Sequence, residues 1–171
     1  MSDFVDYEPD AYAARSDESV EIRPAESGDV GGLAAVMAVR GGAVEEYHDR
    51  ALRLIERLDV ALIAVKDGVP VGWCGIQKLS IHPDAEPEWL IAGLTVVPEL
   101  RRRGIAARLL RGVLDATAGS APNEPIFSVI NARNLASIDL HQQLGFTEVG
   151  RAATFAGIDF TGGVGVLFRY M

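Results

Sequence analysis

A chain of 171 residues is long enough for one domain of ordinary size and too short for two comfortable ones. Its hydrophobic share of 49% and charged share of 23% are typical of a globular protein. The net charge of −8 argues against a general nucleic-acid binder, and the single cysteine, Cys74, excludes an internal disulfide. We recognise no secretory signal and no apolar run of the ~18 residues that a membrane span needs, so we expect a cytoplasmic protein.

The first twenty residues are strongly acidic. Arg15 is their one basic residue, and their acidic residues are Asp3, Asp6, Glu8, Asp10, Asp17 and Glu18. Because such a segment has little apolar surface to bury, we predict that residues 1–19 form a solvated, poorly ordered arm. An arm that lies over a partner subunit or a cationic substrate is the alternative. The folded domain is predicted to cover residues 20–171.

Apolar periodicity predicts the elements of the first half of this domain. Gly41 and Gly42 separate two helices, and Lys66-Asp67-Gly68 is typical of a hairpin turn. The predicted elements are a strand over residues 20–23, helices over 27–39 and 44–58, and strands over 60–65, 69–79 and 89–97.

Helices and strands alternate in the second half. The predicted elements are helices over residues 105–117 and 134–144 and strands over 126–130, 146–151 and 163–170. Residues 154–160 form a predicted apolar loop, which serves as a wall of an acceptor site or as a dimer contact. Together the elements predict a mixed α/β domain without internal repeats.

Residues 94–106 contain the most informative pattern, since a buried strand runs through a turn into a helix. Gly104 and Ala106 are small, which lets a ligand approach the backbone of the first helical turn. The unpaired N–H groups there, together with the helix dipole, favour phosphate oxygens. The three residues before Gly104 are arginines, at a place where a helix ordinarily prefers acidic side chains. An anionic ligand explains this arrangement; a solvated basic turn is the alternative.

Two ordered motifs resemble those of the GNAT-type N-acetyltransferase superfamily. The first, Val-x-Pro-Glu-x-Arg-x-x-Gly-x-Ala at residues 96–106, resembles the acetyl-coenzyme A (acetyl-CoA) signature Arg/Gln-x-x-Gly-x-Gly/Ala with its usual lead-in. The second, at residues 134–146, resembles the family's Asn-x-x-Ala/Ser-x-x-Leu-Tyr-x-x-x-Gly-Phe helix and includes Asn134 and Ser137. The resemblance covers about residues 20–170.

The resemblance implies an α/β fold of the α+β type. Its centre would be a mixed, mostly antiparallel, twisted sheet of about six to seven strands, splayed between the fourth and fifth and flanked by about four helices. It also implies transfer of acetyl from acetyl-CoA to a primary amine by direct nucleophilic attack, without a metal. Backbone N–H groups of the turn would bind the pyrophosphate, and the residues concerned are Arg101, Arg102, Arg103, Gly104, Ile105 and Ala106.

The same resemblance assigns the remaining cofactor contacts. The pantetheine arm would lie in the splay and pair with Leu94, Thr95 and Val96, and the Val96 N–H would polarise the thioester carbonyl. Asn134 would bind the pantetheine amide, cap the last helix, or do both. Ser137 completes the predicted cofactor-binding set.

The catalytic residues depart from the family pattern. His141 stands where the family usually has the tyrosine that protonates the leaving thiol, and it is the predicted general acid, with a histidine that packs locally as the alternative. The predicted general base is Glu88, which strand parity places on the side of Leu90 and Leu94. The alternatives are His82, His48 and a chain of waters.

These observations predict an N-acetyltransferase whose acceptor is an unidentified small-molecule or protein amine, with no nucleic-acid or membrane partner. A homodimer through the terminal strands and the apolar loop is compatible with the sequence. A non-catalytic acyl-CoA sensor is the main alternative, and a transferase for a longer acyl group, accommodated by Gly93, is another. A nucleotide-binding module is disfavoured because no Walker lysine pattern is present. Cys74 is predicted to be buried and inert.

Overall fold

The computed structural model describes residues 16–171. Residues 1–15 of the predicted arm therefore lie outside the described residues. The helices are α1 (Val30–Ala38), α2 (Val44–Arg57), α3 (Ile105–Ser120) and α4 (Leu135–Gln143). The strands are β1 (Glu21–Pro24), β2 (Val60–Lys66), β3 (Val69–Leu79), β4 (Glu88–Val96), β5 (Ile126–Asn131), β6 (Thr147–Ala152), β7 (Thr154–Phe155), β8 (Ile158–Asp159) and β9 (Gly165–Tyr170). None of the helices within residues 16–171 is both long and apolar enough to cross a membrane.

Within the described residues, seven strands form one sheet in the order β1-β2-β3-β4-β5-β9-β6. All neighbouring pairs are antiparallel except β4 and β5, which run parallel. Four helices accompany this sheet in the described part of the chain. The predicted mixed α/β architecture, with its mostly antiparallel sheet, is therefore confirmed.

The parallel pair of strands separates after a short contact. Only Trp89↔Ile126 and Leu90↔Phe127 are paired between β4 and β5, whereas β4 continues to Val96. Beyond Leu90, no strand within residues 16–171 pairs with the edge of β4 that faces β5. This gap is the predicted splay between the fourth and fifth strands.

Different helices pack against the two faces of the sheet. Cys74 of β3 points to the cluster under α3, whereas its neighbour Trp73 points to the cluster under α1 and α2, as alternation along a strand requires. Burial raises the pKa of the Cys74 thiol to about 12, so this side chain is the inert core residue that the sequence predicted.

A short hairpin occupies the region predicted as a loop over residues 154–160. Strands β7 and β8 pair through Thr154↔Asp159 and Phe155↔Ile158. Their two-residue turn uses a left-handed φ of 51° at Ala156 and of 73° at Gly157. Alanine rarely adopts this conformation, which is why the sequence carried no clear turn signal at this point. Phe155 packs with Ile81 and Leu167, so the hairpin covers the β5–β9 part of the sheet.

Residues 16–19, which the sequence placed in the acidic arm, contact the folded domain. The Asp17 N–H donates to the Arg103 carbonyl over 3.2 Å, and the Asp17 carboxylate lies 2.9 Å from the Lys66 Nζ. The Arg108 guanidinium donates to the carbonyls of Asp17 and Val20 over 2.9 and 2.7 Å. We call residues 16–20 the N-terminal strap.

Candidate functional site

A pocket opens where β4 and β5 separate. It is lined by Arg40, Leu94, Thr95, Val96, Leu100, Arg101, Arg102, Gly104, Ile105, Ala106, Ala107, Asn134, Ala136, Ser137 and Leu140. The structure thus brings together every predicted cofactor-binding residue except Arg103. Four separate parts of the chain form the pocket: Arg40 after α1, the end of β4, the turn before α3 with the first turn of that helix, and α4 with its N-cap.

Tight backbone geometry positions the turn before α3. A 3-10 turn at Pro98–Leu100 begins it, and Arg102 and Gly104 take left-handed φ values of 62° and 73°. The Arg101 N–H is used within the turn, where it donates to the Pro98 carbonyl over 3.3 Å. The first helical hydrogen bond of α3 runs from the Arg108 N–H to the Gly104 carbonyl over 3.1 Å. The N–H groups of residues 105–107 therefore precede the helical ladder and are available to a ligand.

The three consecutive arginines take different positions. Arg101 and Arg102 line the pocket, and the Arg101 Nε donates to the Val96 carbonyl over 3.1 Å. Arg103 is turned to the N-terminal strap, where its guanidinium lies 3.5 Å from the Asp17 carboxylate. Helix dipole, exposed amides and two guanidinium groups consequently make this end of the pocket suitable for an anion such as a diphosphate.

The edge of β4 presents backbone groups to the gap. The Val97 N–H donates to the Val71 carbonyl of β3 over 2.9 Å, so the backbone groups of Val97 point to β3. Because successive residues of a strand alternate, those of Val96 and Leu94 point the other way, into the gap. An arm that carries amide groups can pair with this edge as a further strand would.

Arg40 is a pocket residue that the sequence analysis missed. It follows α1, and its Nη2 donates to the Leu94 carbonyl over 2.9 Å, at the edge of β4 that faces the gap. No local signal could have identified it, since 54 residues separate the two partners.

The start of α4 supplies the opposite wall. The Asn134 Oδ1 accepts a hydrogen bond from the Ser137 N–H over 3.2 Å, so Asn134 caps the helix as one of its two predicted roles requires. Both side chains also line the pocket, which leaves the other predicted role, contact with pantetheine, compatible with the geometry.

His141 lies beneath this wall rather than in the pocket. Its ring is 2% exposed and packs edge-on against Phe146 at 4.9 Å. The Nδ1 donates to the Ser137 carbonyl over 2.7 Å, because a carbonyl can only accept, and the Nε2 then accepts from the Ser128 hydroxyl over 3.0 Å. Burial lowers the pKa of His141 to about 4, so the ring is neutral near pH 7. These contacts favour local packing over direct protonation of a thiol.

Glu88 begins β4, at the end opposite the pocket. At about 3.3 Å per residue, it lies about 20 Å along the strand from Leu94. The register with β3 pairs Gly75 with Gly93 and Ile76 with Ile91, so Ala92 is an extra, bulged residue. The bulge reverses the parity on which the assignment of Glu88 relied, and places Glu88 and Leu94 on opposite faces.

The alternatives for the general base are also outside the pocket. His48 is exposed on α2, and the ring of His82 packs against Phe155 at 5.4 Å. In the described part of the chain, the pocket lining contains no Asp, Glu, His, Cys or Tyr side chain. Gly93 does not leave open space for a longer acyl group, since a Cβ there would lie 2.7 Å from the Trp73 ring.

A model of the acetyltransferase (GNAT) family matches residues 35–146, which is more than half of the chain. The sequence is 34% identical over 83 residues to N-alpha-acetyltransferase RimI of Mycobacterium tuberculosis. That alignment covers 48% of this chain and 49% of the relative, so the chain matches about half the length of this curated protein.

Solved structures share the fold at low sequence identity. The ribosomal-protein-alanine N-acetyltransferase of Brucella melitensis superimposes with a TM-score of 0.69 at 22% identity, over 88% of this chain and 99% of that one. A phosphinothricin acetyltransferase of Sinorhizobium meliloti, solved with acetyl-CoA, gives a TM-score of 0.68 at 18% identity, over 89% and 88% of the chains. The residues that match the family model include both the strands that separate and the turn before α3. The chain therefore belongs to the acetyltransferase (GNAT) family.

Proposed function

We propose that this protein transfers the acetyl group of acetyl-CoA to a primary amine. The observation that carries the proposal is the pocket itself, which is lined both by residues 105–107, whose N–H groups precede the helical ladder, and by the edge of β4 that no part of β5 covers. An extended molecule with a diphosphate at one end and amides along its length matches this distribution of donors and acceptors.

The chain's own residues would bind and orient both reactants. The amides of residues 105–107, with Arg101 and Arg102, hold the diphosphate, and the Leu94 and Val96 backbone groups align the pantetheine arm. Bound acetyl-CoA supplies an activated thioester. The Val96 N–H points into the gap, where it can donate to the oxygen that gains negative charge during acyl transfer.

Proton transfer is assigned to water. An amine must be deprotonated before it attacks, and the thiolate that leaves must gain a proton. Since His141 is neutral and buried and Glu88 begins the far end of β4, neither contacts the pocket in this structure. Water that enters the gap between β4 and β5 would then carry protons to and from the reacting groups.

The acceptor is proposed to be the α-amino group of a peptide. Two of the similar proteins are named as N-alpha-acetyltransferase RimI and as a ribosomal-protein-alanine N-acetyltransferase, which supports this class over small amines. Thiol release from acetyl-CoA should be measured with peptides, free amino acids, polyamines and aminoglycosides as acceptors. Turnover with peptides is expected, and turnover with small amines alone would move the proposal to a small-molecule acceptor.

A paired substitution tests the cofactor site. Ala107 lines the pocket in the first turn of α3, where an acidic residue suits the helix dipole. Ala107→Asp should fold, yet its charge should repel the diphosphate and weaken acetyl-CoA binding by about tenfold or more relative to the equally sized Ala107→Asn. Equal affinities of the two variants in calorimetry would show that the diphosphate lies elsewhere.

A non-catalytic acyl-CoA sensor is the second candidate. The specific observation in its favour is the pocket lining, which contains no Asp, Glu, His, Cys or Tyr side chain among residues 16–171. Binding of acetyl-CoA without thiol release across the whole acceptor panel would support the sensor and overturn the enzyme.

A further inference from the structure

We propose that Asp17 is a positioning residue for acetyl-CoA binding, because it holds the N-terminal strap against the phosphate-binding turn. This inference rests on the proposed function, since it concerns how the same pocket acquires its affinity. Asp17 itself does not line the pocket.

The strap orients an amide of the turn. The Asp17 N–H donates to the Arg103 carbonyl over 3.2 Å. In a trans peptide the C=O and the following N–H point in opposite directions, so this bond aims the Gly104 N–H away from the strap. Gly104 lines the pocket, and a Cβ at Gly104 would lie 3.6 Å from the Ser16 Cα of the strap. The peptide whose carbonyl accepts from the strap is therefore joined to a residue of the pocket wall.

The side chain of Asp17 anchors the strap to two elements. Its carboxylate lies 2.9 Å from the Lys66 Nζ at the end of β2 and 3.5 Å from the Arg103 guanidinium. It also accepts from the N–H and the hydroxyl of Ser19, and these bonds together with Lys66 lower the pKa of Asp17 far below its ordinary value. The carboxylate is 15% exposed and stays charged throughout the physiological range.

A third anchor comes from α3. The two guanidinium nitrogens of Arg108 donate to the Asp17 and Val20 carbonyls over 2.9 and 2.7 Å. Arg108 directly follows residues 105–107, whose N–H groups precede the helical ladder, so the same helix start that lines the pocket is tied to the strap. Side-chain and backbone contacts therefore hold the strap in place. The strap in turn supports the turn before α3, in which Arg102 and Gly104 have left-handed φ values.

Whether Asp17→Asn weakens or strengthens acetyl-CoA binding distinguishes a positioning role of Asp17 from a simple effect of its charge. Acetyl-CoA is a polyanion, so removal of a nearby negative charge would by itself strengthen binding. Loss of the brace would instead let the turn sample other conformations, which weakens binding. The two explanations therefore predict opposite changes for Asp17→Asn, which has the same size and one negative charge less.

Calorimetry with acetyl-CoA and steady-state kinetics on the full chain test the inference. Asp17→Asn should raise the dissociation constant and the KM for acetyl-CoA by about fivefold, with kcat at saturation within about twofold of wild type. Glu18→Gln, which removes the neighbouring exposed charge, is the matched control and should bind as tightly as the wild type or more tightly. Asp17→Asn that binds equally or more tightly would overturn the inference.

A charge-conserving variant provides an independent test. Arg108→Lys keeps the positive charge but cannot donate to both strap carbonyls in the same geometry, so it should weaken binding in the same direction. Unchanged affinity in Arg108→Lys would contradict the brace. Absence of binding by the wild type would instead refute the proposed function, so the two failures are distinguishable.

Discussion

His141 makes folding stability depend on pH in a way that can be calculated from its environment. Its pKa is lowered from 6.5 to about 4 in the folded protein, chiefly because the ring is buried. As the pH falls, the unfolded chain takes up the proton first, so stability is lost progressively from about pH 6.5 down to about pH 4 and is fully present above that window. Lowering the pH from about 7.5 to about 5.5 should remove about 1.3 kcal/mol through this residue alone.

Urea unfolding at these two pH values measures the contribution. His141→Gln has no imidazole, so its free energy of unfolding should change by about 1.3 kcal/mol less between the two pH values than that of the wild type. Both values lie above the sequence pI of about 4.8, which limits precipitation. His48→Gln, at an exposed position on α2, is the control and should retain the pH dependence of the wild type.

The same variant bears on the mechanism. If His141 donated a proton to the thiol, its replacement would change the pH dependence of kcat. A neutral ring that bonds Ser137 and Ser128 predicts an unchanged shape of the kcat–pH profile in His141→Gln, whatever its absolute rate. An identical pH dependence of stability in wild type and His141→Gln would refute the argument that the ring is buried and neutral.

Four further substitutions have defined outcomes. Asn134→Ser should keep the cap on the Ser137 N–H while losing the carboxamide, so it should raise the KM for acetyl-CoA with little change in melting temperature, whereas Asn134→Ala should also lose about 1 kcal/mol of stability in urea. Gly93→Ala places a Cβ 2.7 Å from the buried Trp73 ring and should cost about 1–3 kcal/mol in the same assay. Gly119→Ala, in α3 with open space around its Cβ position, should stabilise by about 0.5–1 kcal/mol, and a loss there would contradict the helix assignment.

Which residues line the pocket was predictable because their signals in the sequence are local. The turn at residues 101–106 and the start of α4 each contain their signal within a few residues, and the topology then brings the two together beside the splay. Arg103 is the exception, because its side chain is turned to Asp17. Asp17 lies far away in the sequence, in a segment whose composition predicted a solvated arm.

The catalytic assignments depended on features that a sequence does not display. The bulge at Ala92 has no residue signature, yet it reverses the side on which every residue before it points. His141 stands where the family pattern has a tyrosine, whose side chain is longer. The shorter imidazole forms hydrogen bonds with Ser128 and Ser137 inside the core. Burial and long-range contacts of this kind appear only when the chain is folded.

A crystal structure of the protein soaked with acetyl-CoA tests the proposed binding mode most directly. The diphosphate is expected within hydrogen-bonding distance of the N–H groups of residues 105–107, and the pantetheine amides are expected to pair with the Leu94 and Val96 backbone in the gap between β4 and β5. A diphosphate bound away from the start of α3, or a pantetheine arm that lies outside this gap, would contradict it.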